Sequence, residues 1–84
     1  MYLGEKLYGV VYNRGETICR QGENGDTLFI IQSGAVEVTR RDKDSVLVLA
    51  LLEEGEFFGE MALLDDYPRS ATVKAIRKTR VLPL

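Results

Sequence analysis

There is no histidine anywhere in this chain, and no tryptophan. Imidazole is the commonest metal ligand and the usual proton shuttle near neutral pH. Its absence argues against histidine-based metal sites and histidine-assisted nucleophilic catalysis. Cysteine occurs once, at Cys19 between Ile18 and Arg20, so no internal disulfide can form. With no histidine to activate it, this thiol reads as a small, buried or half-buried hydrophobe in a strand-like run. No apolar run is long enough to cross a bilayer, and the opening stretch, residues 1–6, lacks the apolar core of a signal peptide. Charge of one sign is also missing. Eleven Lys and Arg face thirteen Asp and Glu, a net charge of −2 that gives no general attraction to nucleic acid or anionic membrane. Lys74, Arg77, Lys78 and Arg80 do gather near the C-terminus, and on strand-like sequence such a cluster reads as a solvated face.

What remains is a folded domain. At 84 residues, 45% hydrophobic and 29% charged, the chain has the composition of one small globular unit spanning residues 1–84. Turn signals recur at short intervals: Asn13-Arg14-Gly15, Gln21 to Asp26, Ser33-Gly34, Asp42-Lys43-Asp44 and Glu53-Glu54-Gly55. Short β-branched and aromatic runs lie between them, which is the pattern of an all-β sandwich or barrel. The spacing predicts strands near 7–12, 16–20, 27–33, 35–41, 46–52, 56–58, 70–77 and 79–82, and one short helix near 59–64. The last strand is expected to fade at Pro83, which has no N–H to donate.

Alternation in Ala35-Val36-Glu37-Val38-Thr39-Arg40 predicts Val36 and Val38 inward, Glu37 and Thr39 outward. The run from Val46 to Leu52 does not alternate, so both its faces are expected to be covered. Leu47, Leu49 and Leu51 form the larger face, suited to a packed core. Val46, Val48 and Ala50 form a smaller face that either leaves room for a flat apolar group such as a purine or packs under a loop.

The densest chemistry runs from Phe58 to Ala75. Gly59 and Glu60 open a short apolar helix, Met61 to Leu64; a polar loop follows, with Asp65 and Asp66 at its solvated tip; then Arg69 and Ser70 stand at the start of a strand. A helix N-terminus offers unpaired N–H groups to an anion. Gly59 can adopt backbone angles closed to other residues, and both Gly59 and Ala62 are small enough to let a ligand approach closely. Arg69 supplies a planar, permanently charged fork for two phosphate oxygens, and Ser70 a hydroxyl. Glu60 repels phosphate but accepts from a sugar hydroxyl. Each residue also has an ordinary role as a turn, a first-turn acid or a surface charge. Their presence in one short window is what points to a site for a phosphate and a sugar side by side, with no group placed for chemistry on what is bound.

At these residues the chain resembles the phosphate-binding cassette of cyclic nucleotide-binding domains. That pattern is Phe-Gly-Glu, any residue, Ala-Leu, a variable loop, then Arg-Ser/Thr/Ala-Ala, met here by Phe58, Gly59, Glu60, Ala62, Leu63, Arg69, Ser70 and Ala71. A second signature lies in residues 18–34, with glycines at 22, 25 and 34 and an apolar run at 28–31. Together the likeness covers Val10 to Leu82.

The resemblance implies an eight-stranded jelly-roll β-barrel, with the cassette helix between its sixth and seventh strands. It implies a non-catalytic module that regulates a larger parent protein in the cytoplasm or at the cytoplasmic face of a membrane. Cyclic AMP is the expected ligand, with no cofactor and no metal. Where members favour cyclic GMP a threonine often follows the arginine; Ser70 leaves cyclic GMP allowed. Glu60 would accept from the ribose 2′-hydroxyl, Arg69 would hold the exocyclic phosphate oxygens, and amides near Met61 and Ala62 with Ser70 would complete the cradle. Partners are the cyclic nucleotide and the parent's regulated domain, with no nucleic acid contact and no membrane insertion. Members also carry flanking helices, the last closing over the base. With almost nothing before Leu7 and nothing after Leu84, this chain reads as a barrel core, expected to bind more weakly and to be open to self-association through apolar surface at the pocket mouth. Two alternatives stand beside this: a domain of the same fold that has lost its ligand, and a cupin-like metal enzyme, which the absence of histidine opposes.

Overall fold

The computed structural model describes residues 9–23, 28–59 and 71–84. Among them the chain forms eight strands: β1 (Val10–Tyr12), β2 (Thr17–Cys19), β3 (Phe29–Ser33), β4 (Ala35–Asp42), β5 (Ser45–Glu53), β6 (Phe57–Phe58), β7 (Thr72–Ala75) and β8 (Thr79–Pro83). They pair into two antiparallel four-stranded sheets, ordered β1-β8-β3-β6 and β2-β7-β4-β5. Successive strands therefore mostly change sheet, as a jelly roll requires. The core lies between the sheets: Cys19, Ile31, Val36, Phe58, Val73 and Val81 are buried, with Tyr12, Ile18, Phe29, Val38 and Leu52 packed against them. Cys19 is a buried thiol outside any disulfide, as its neighbours suggested.

Strand positions follow the sequence pattern closely, and the departures have local reasons. β7 is shorter than its run of β-favouring residues. Pro83 is part of β8, opposite Phe29. It is tolerated there because pairing with β1 spans only Thr79–Val81, so the side of Pro83 that lacks an N–H does not interrupt that ladder. The helix expected near 59–64 lies outside the described residues.

Two turns show how local chemistry sets the topology. Asp42 pairs with Ser45 across the two-residue turn Lys43-Asp44, and Lys43 takes a φ of +56°. A two-residue hairpin needs such left-handed backbone. At Gly34 the chain passes from β3 to β4 with φ +97°, and a Cβ there would lie 2.5 Å from both the Lys78 carbonyl and Thr79 Oγ1. Only glycine fits this crossing. Thr79 is fully buried, and its Oγ1 accepts from the Ala35 N–H at 3.1 Å. Its one proton points into the Arg77 carbonyl at 2.7 Å and the Ala35 carbonyl at 3.0 Å. The hydroxyl thus ties the start of β4 to the β7–β8 connection with its own donor and acceptor both paired.

β5 corrects an expectation. Its large face does not form core. Leu47, Leu49 and Leu51 are 51–60% exposed, as are Val46 and Val48 at 58–59%. The reason is position: β5 ends its sheet and pairs only with β4. Its parity is also broken, because Val38 faces Ala50 while Thr39 faces Val48, leaving Leu49 as an extra, bulged residue. The leucine that reaches the core is Leu52, opposite Val36. Of the proposed small face, Ala50 alone is half-buried, on the inner side opposite Val38.

Candidate ligand site

The site is framed by two fixed ends. Phe58 is buried at the end of β6, held by pairing with β3 and by its ring, which stacks on Phe29 with centroids 5.0 Å apart and planes 19° apart. The next residue, Gly59, is half-buried with φ +91°, so the chain turns out of the sheet through an angle that L side chains avoid. This is the backbone freedom the sequence assigned to Gly59. The other end is Ala71-Thr72, where the chain enters β7 of the opposite sheet. Glu60, Met61, Ala62, Arg69 and Ser70 lie outside the described residues, so of the six ligand-binding residues named from sequence the structure places Gly59.

Between these ends the inner walls are apolar. Val38, Ala50 and Leu52 share the inner face of one sheet; Phe29 and Phe58 lie on the other. Such a lining excludes water from part of a bound group. Among the described titratable groups, Tyr12 has its pKa pushed above the ordinary phenol value, first by burial and then by the neighbouring Cys19 and Glu16. That phenol belongs to β1 and stays protonated at neutral pH. Among the described residues no group of three or more Cys, Asp or Glu gathers to hold a metal.

The outer face of the second sheet carries an open groove of about 710 Å³, lined by Thr17, Arg20, Thr39, Arg41, Thr72 and Lys74, among others. Glu37 also lines it, directly opposite Lys74 on β7, so Glu37 and Thr39 do face outward as their alternation predicts. Above the end of β7 sits Gln21, whose N–H donates to Thr72 Oγ1 at 3.0 Å. Its side-chain amide meets the backbone of Arg41 on β4. Sequence reasoning took residues 21–26 as a turn and assigned Gln21 no task. A flexible amide beside glycine gives no periodic signal, and only the sheet pairing brings it to β4.

The sequence profile of the cyclic nucleotide-binding domain matches residues 9–84. The chain is 40% identical over 82 residues to a cAMP-dependent protein kinase regulatory subunit of Yarrowia lipolytica, covering 98% of this chain and 21% of that protein. Among solved structures it is similar to the catabolite activator protein of Thermus thermophilus, with TM-score 0.86 and 41% identity over 89% of this chain and 36% of that one. It is also similar to the regulatory domain of Toxoplasma gondii protein kinase A, solved with cAMP, with TM-score 0.84 and 31% identity over 89% of this chain and 30% of that one. The chain spans about a fifth of the length of the Yarrowia relative. With two glycine-containing signatures in order, a two-sheet jelly roll and a profile match over nearly its whole length, this chain belongs to the cyclic nucleotide-binding domain family.

Proposed function

We propose that the chain is a binding module for a cyclic nucleotide, cAMP in preference to cGMP, and that it regulates a larger protein without catalysing a reaction itself. The observation that carries this reading is the left-handed turn at Gly59, φ +91°, directly after the anchored Phe58. It starts the Gly-Glu…Arg-Ser segment at the mouth of an apolar-walled barrel. Glu60 accepts from the ribose 2′-hydroxyl. Arg69 pairs with the exocyclic phosphate oxygens, Ser70 adds a hydroxyl, and amides near Met61 and Ala62 complete an anion cradle. Val38, Ala50 and Leu52 offer the purine an apolar wall. Nothing in this set is a nucleophile or a tuned acid–base pair, so the module senses its ligand and leaves it unchanged. Binding acts on a regulated domain of the parent protein, in the cytoplasm or at the cytoplasmic face of a membrane.

A calorimetric titration with cAMP and with cGMP tests the reading. Saturable binding of cAMP, tighter than cGMP, is expected. No heat with either nucleotide would leave the alternative of a domain that kept the fold without the ligand.

A further inference from the structure

The outer face of the β2-β7-β4-β5 sheet carries a pattern that nucleotide binding does not use. Residues directly opposite one another in an antiparallel pair share a face. The register therefore sets three rows across the strands on the side where Glu37 and Thr39 look outward. Leu51, Glu37, Lys74 and Thr17 make one row; Val48, Thr39 and Thr72 make the next; Val46 and Arg41 make the last. The Gln21 side chain closes this last row. Its Oε1 accepts from the Arg41 N–H at 2.7 Å and its Nε2 donates to the Arg41 carbonyl at 3.1 Å. That clamp brings Arg20, the residue before it, into the same groove as Arg41. The chemistry is divided by strand. β5 supplies Val46, Val48 and Leu51, each 58–60% exposed. The other side supplies the exposed cations Arg20, Arg41 and Lys74. Thr17, Thr39 and Thr72 are short and half-buried, so they form a floor below longer rims. Three cations thus meet one carboxylate, Glu37, on a chain whose net charge is −2. Among the described residues no ion pair neutralises them.

We propose that this groove docks an acidic amphipathic helix of a protein partner. Three rows at two-residue intervals span roughly 14 Å, the length of about nine helical residues. β5 and β7 stand two strand spacings apart, about 10 Å, close to the width of a helix. A helix seated over Thr39 lays one apolar stripe on Val46, Val48 and Leu51. Acids on the neighbouring stripe then meet Arg20 and Arg41. Glu37, beside Lys74, repels an acid at the other end, so the helix has a preferred direction. Other occupants fit less well. A phosphate or a nucleic acid strand answers the cations but leaves the apolar row in water. A bilayer surface is broad and does not reach a floor of threonines between raised rims. A second copy of this chain offers, among the described residues, strands and no helix. The groove lies on the opposite side of the sheet from Val38 and Ala50, so docking there does not depend on nucleotide binding.

The probe is a labelled peptide of about three helical turns, built from Glu, Leu and Ala with Glu and Leu on neighbouring stripes. Fluorescence anisotropy follows its titration with the whole chain. A peptide of the same composition in scrambled order, and vesicles of phosphatidylcholine and phosphatidylserine, are the comparison arms. Saturable binding of the amphipathic peptide is expected, with the scrambled one about tenfold weaker. Reversing charge with Arg20→Glu and Arg41→Glu together should weaken the amphipathic peptide about tenfold. Thr39→Tyr fills the floor, keeps the charge and suits a strand. It should weaken binding to a similar degree, and it carries the test if the double reversal unfolds. If the scrambled peptide binds as tightly, or the folded variants bind like the parent, the groove is not the dock. If the chain takes up vesicles and leaves the peptide free, the face is a lipid surface and the proposal is wrong. Binding to neither overturns it as well.

Discussion

Strand β4 has two neighbours, and they differ in nearly every respect. β7 is four residues long, alternates between buried and exposed, puts Val73 and Ala75 in the core and shows Lys74 to water. β5 is nine residues long, apolar from Val46 to Leu52, bulged at Leu49 and largely exposed. Apolar composition alone therefore says little about burial. An interior strand must alternate, because each face meets a different surroundings. A strand at the end of a sheet is free of that constraint. β5 also shows why such an edge need not pair with itself. Antiparallel pairing of two β5 strands about Leu49 would set Asp44 of one copy against Glu54 of the other, and like charges directly opposite are unfavourable.

Substitutions on the two sides of β4 should separate sharply. The largest effect is expected on the β7 side, where the chain arrives from the proposed phosphate site. Arg69→Ala should cost about 2–5 kcal/mol of cAMP binding, more than tenfold in Kd, with unchanged thermal unfolding. Calorimetry and circular dichroism read the two quantities, and parent-like affinity would remove Arg69 from the site. Next in size is Gly34→Ala, at the entry to β4. The new Cβ would meet backbone at 2.5 Å as well as a left-handed φ, so a loss of about 3 kcal/mol is expected in urea unfolding. Gly55→Ala is its control: φ is +88° with nothing within 4 Å, so only the backbone term of about 1–2 kcal/mol applies. Similar losses for both would mean that the close approach at Gly34 carries no energy.

The proposed ribose contact comes next. The 2′-deoxy analogue of cAMP should bind more weakly by about 1–3 kcal/mol, because a desolvated Glu60 loses its donor, and Glu60→Gln should narrow the gap. Equal binding of the ribo and deoxy ligands would make Glu60 a first-turn acid and nothing more. The smallest effect is expected on the β5 side. Val36→Ala, at a fully buried site, should cost about 2 kcal/mol, whereas Leu51→Lys, 60% exposed, should stay within about 0.5 kcal/mol. Sedimentation of the same Leu51 variant checks the surface: if the parent self-associates through β5, the lysine should disperse it. A stability loss at Leu51 comparable to that at Val36 would show that β5 is covered after all.

By itself the sequence determined the eight strands and their order, because turn residues and β-branched runs act over a few neighbours. Alternation at Val36 to Thr39 settled which side faces the core for the same local reason, and the Phe-Gly-Glu…Arg-Ser spacing marked the proposed ligand segment, since its residues are close in the chain. Tertiary structure alone decided the rest. Which strand ends a sheet depends on pairings among strands far apart in sequence, so the exposure of Leu47, Leu49 and Leu51 had no local sign. The bulge that brings Leu52 inward instead of Leu51 is a mismatch between two strands, visible only in their register. Gln21 and Arg41 lie 20 residues apart, and a side-chain amide becomes a ladder partner only where a folded sheet leaves one backbone pair open.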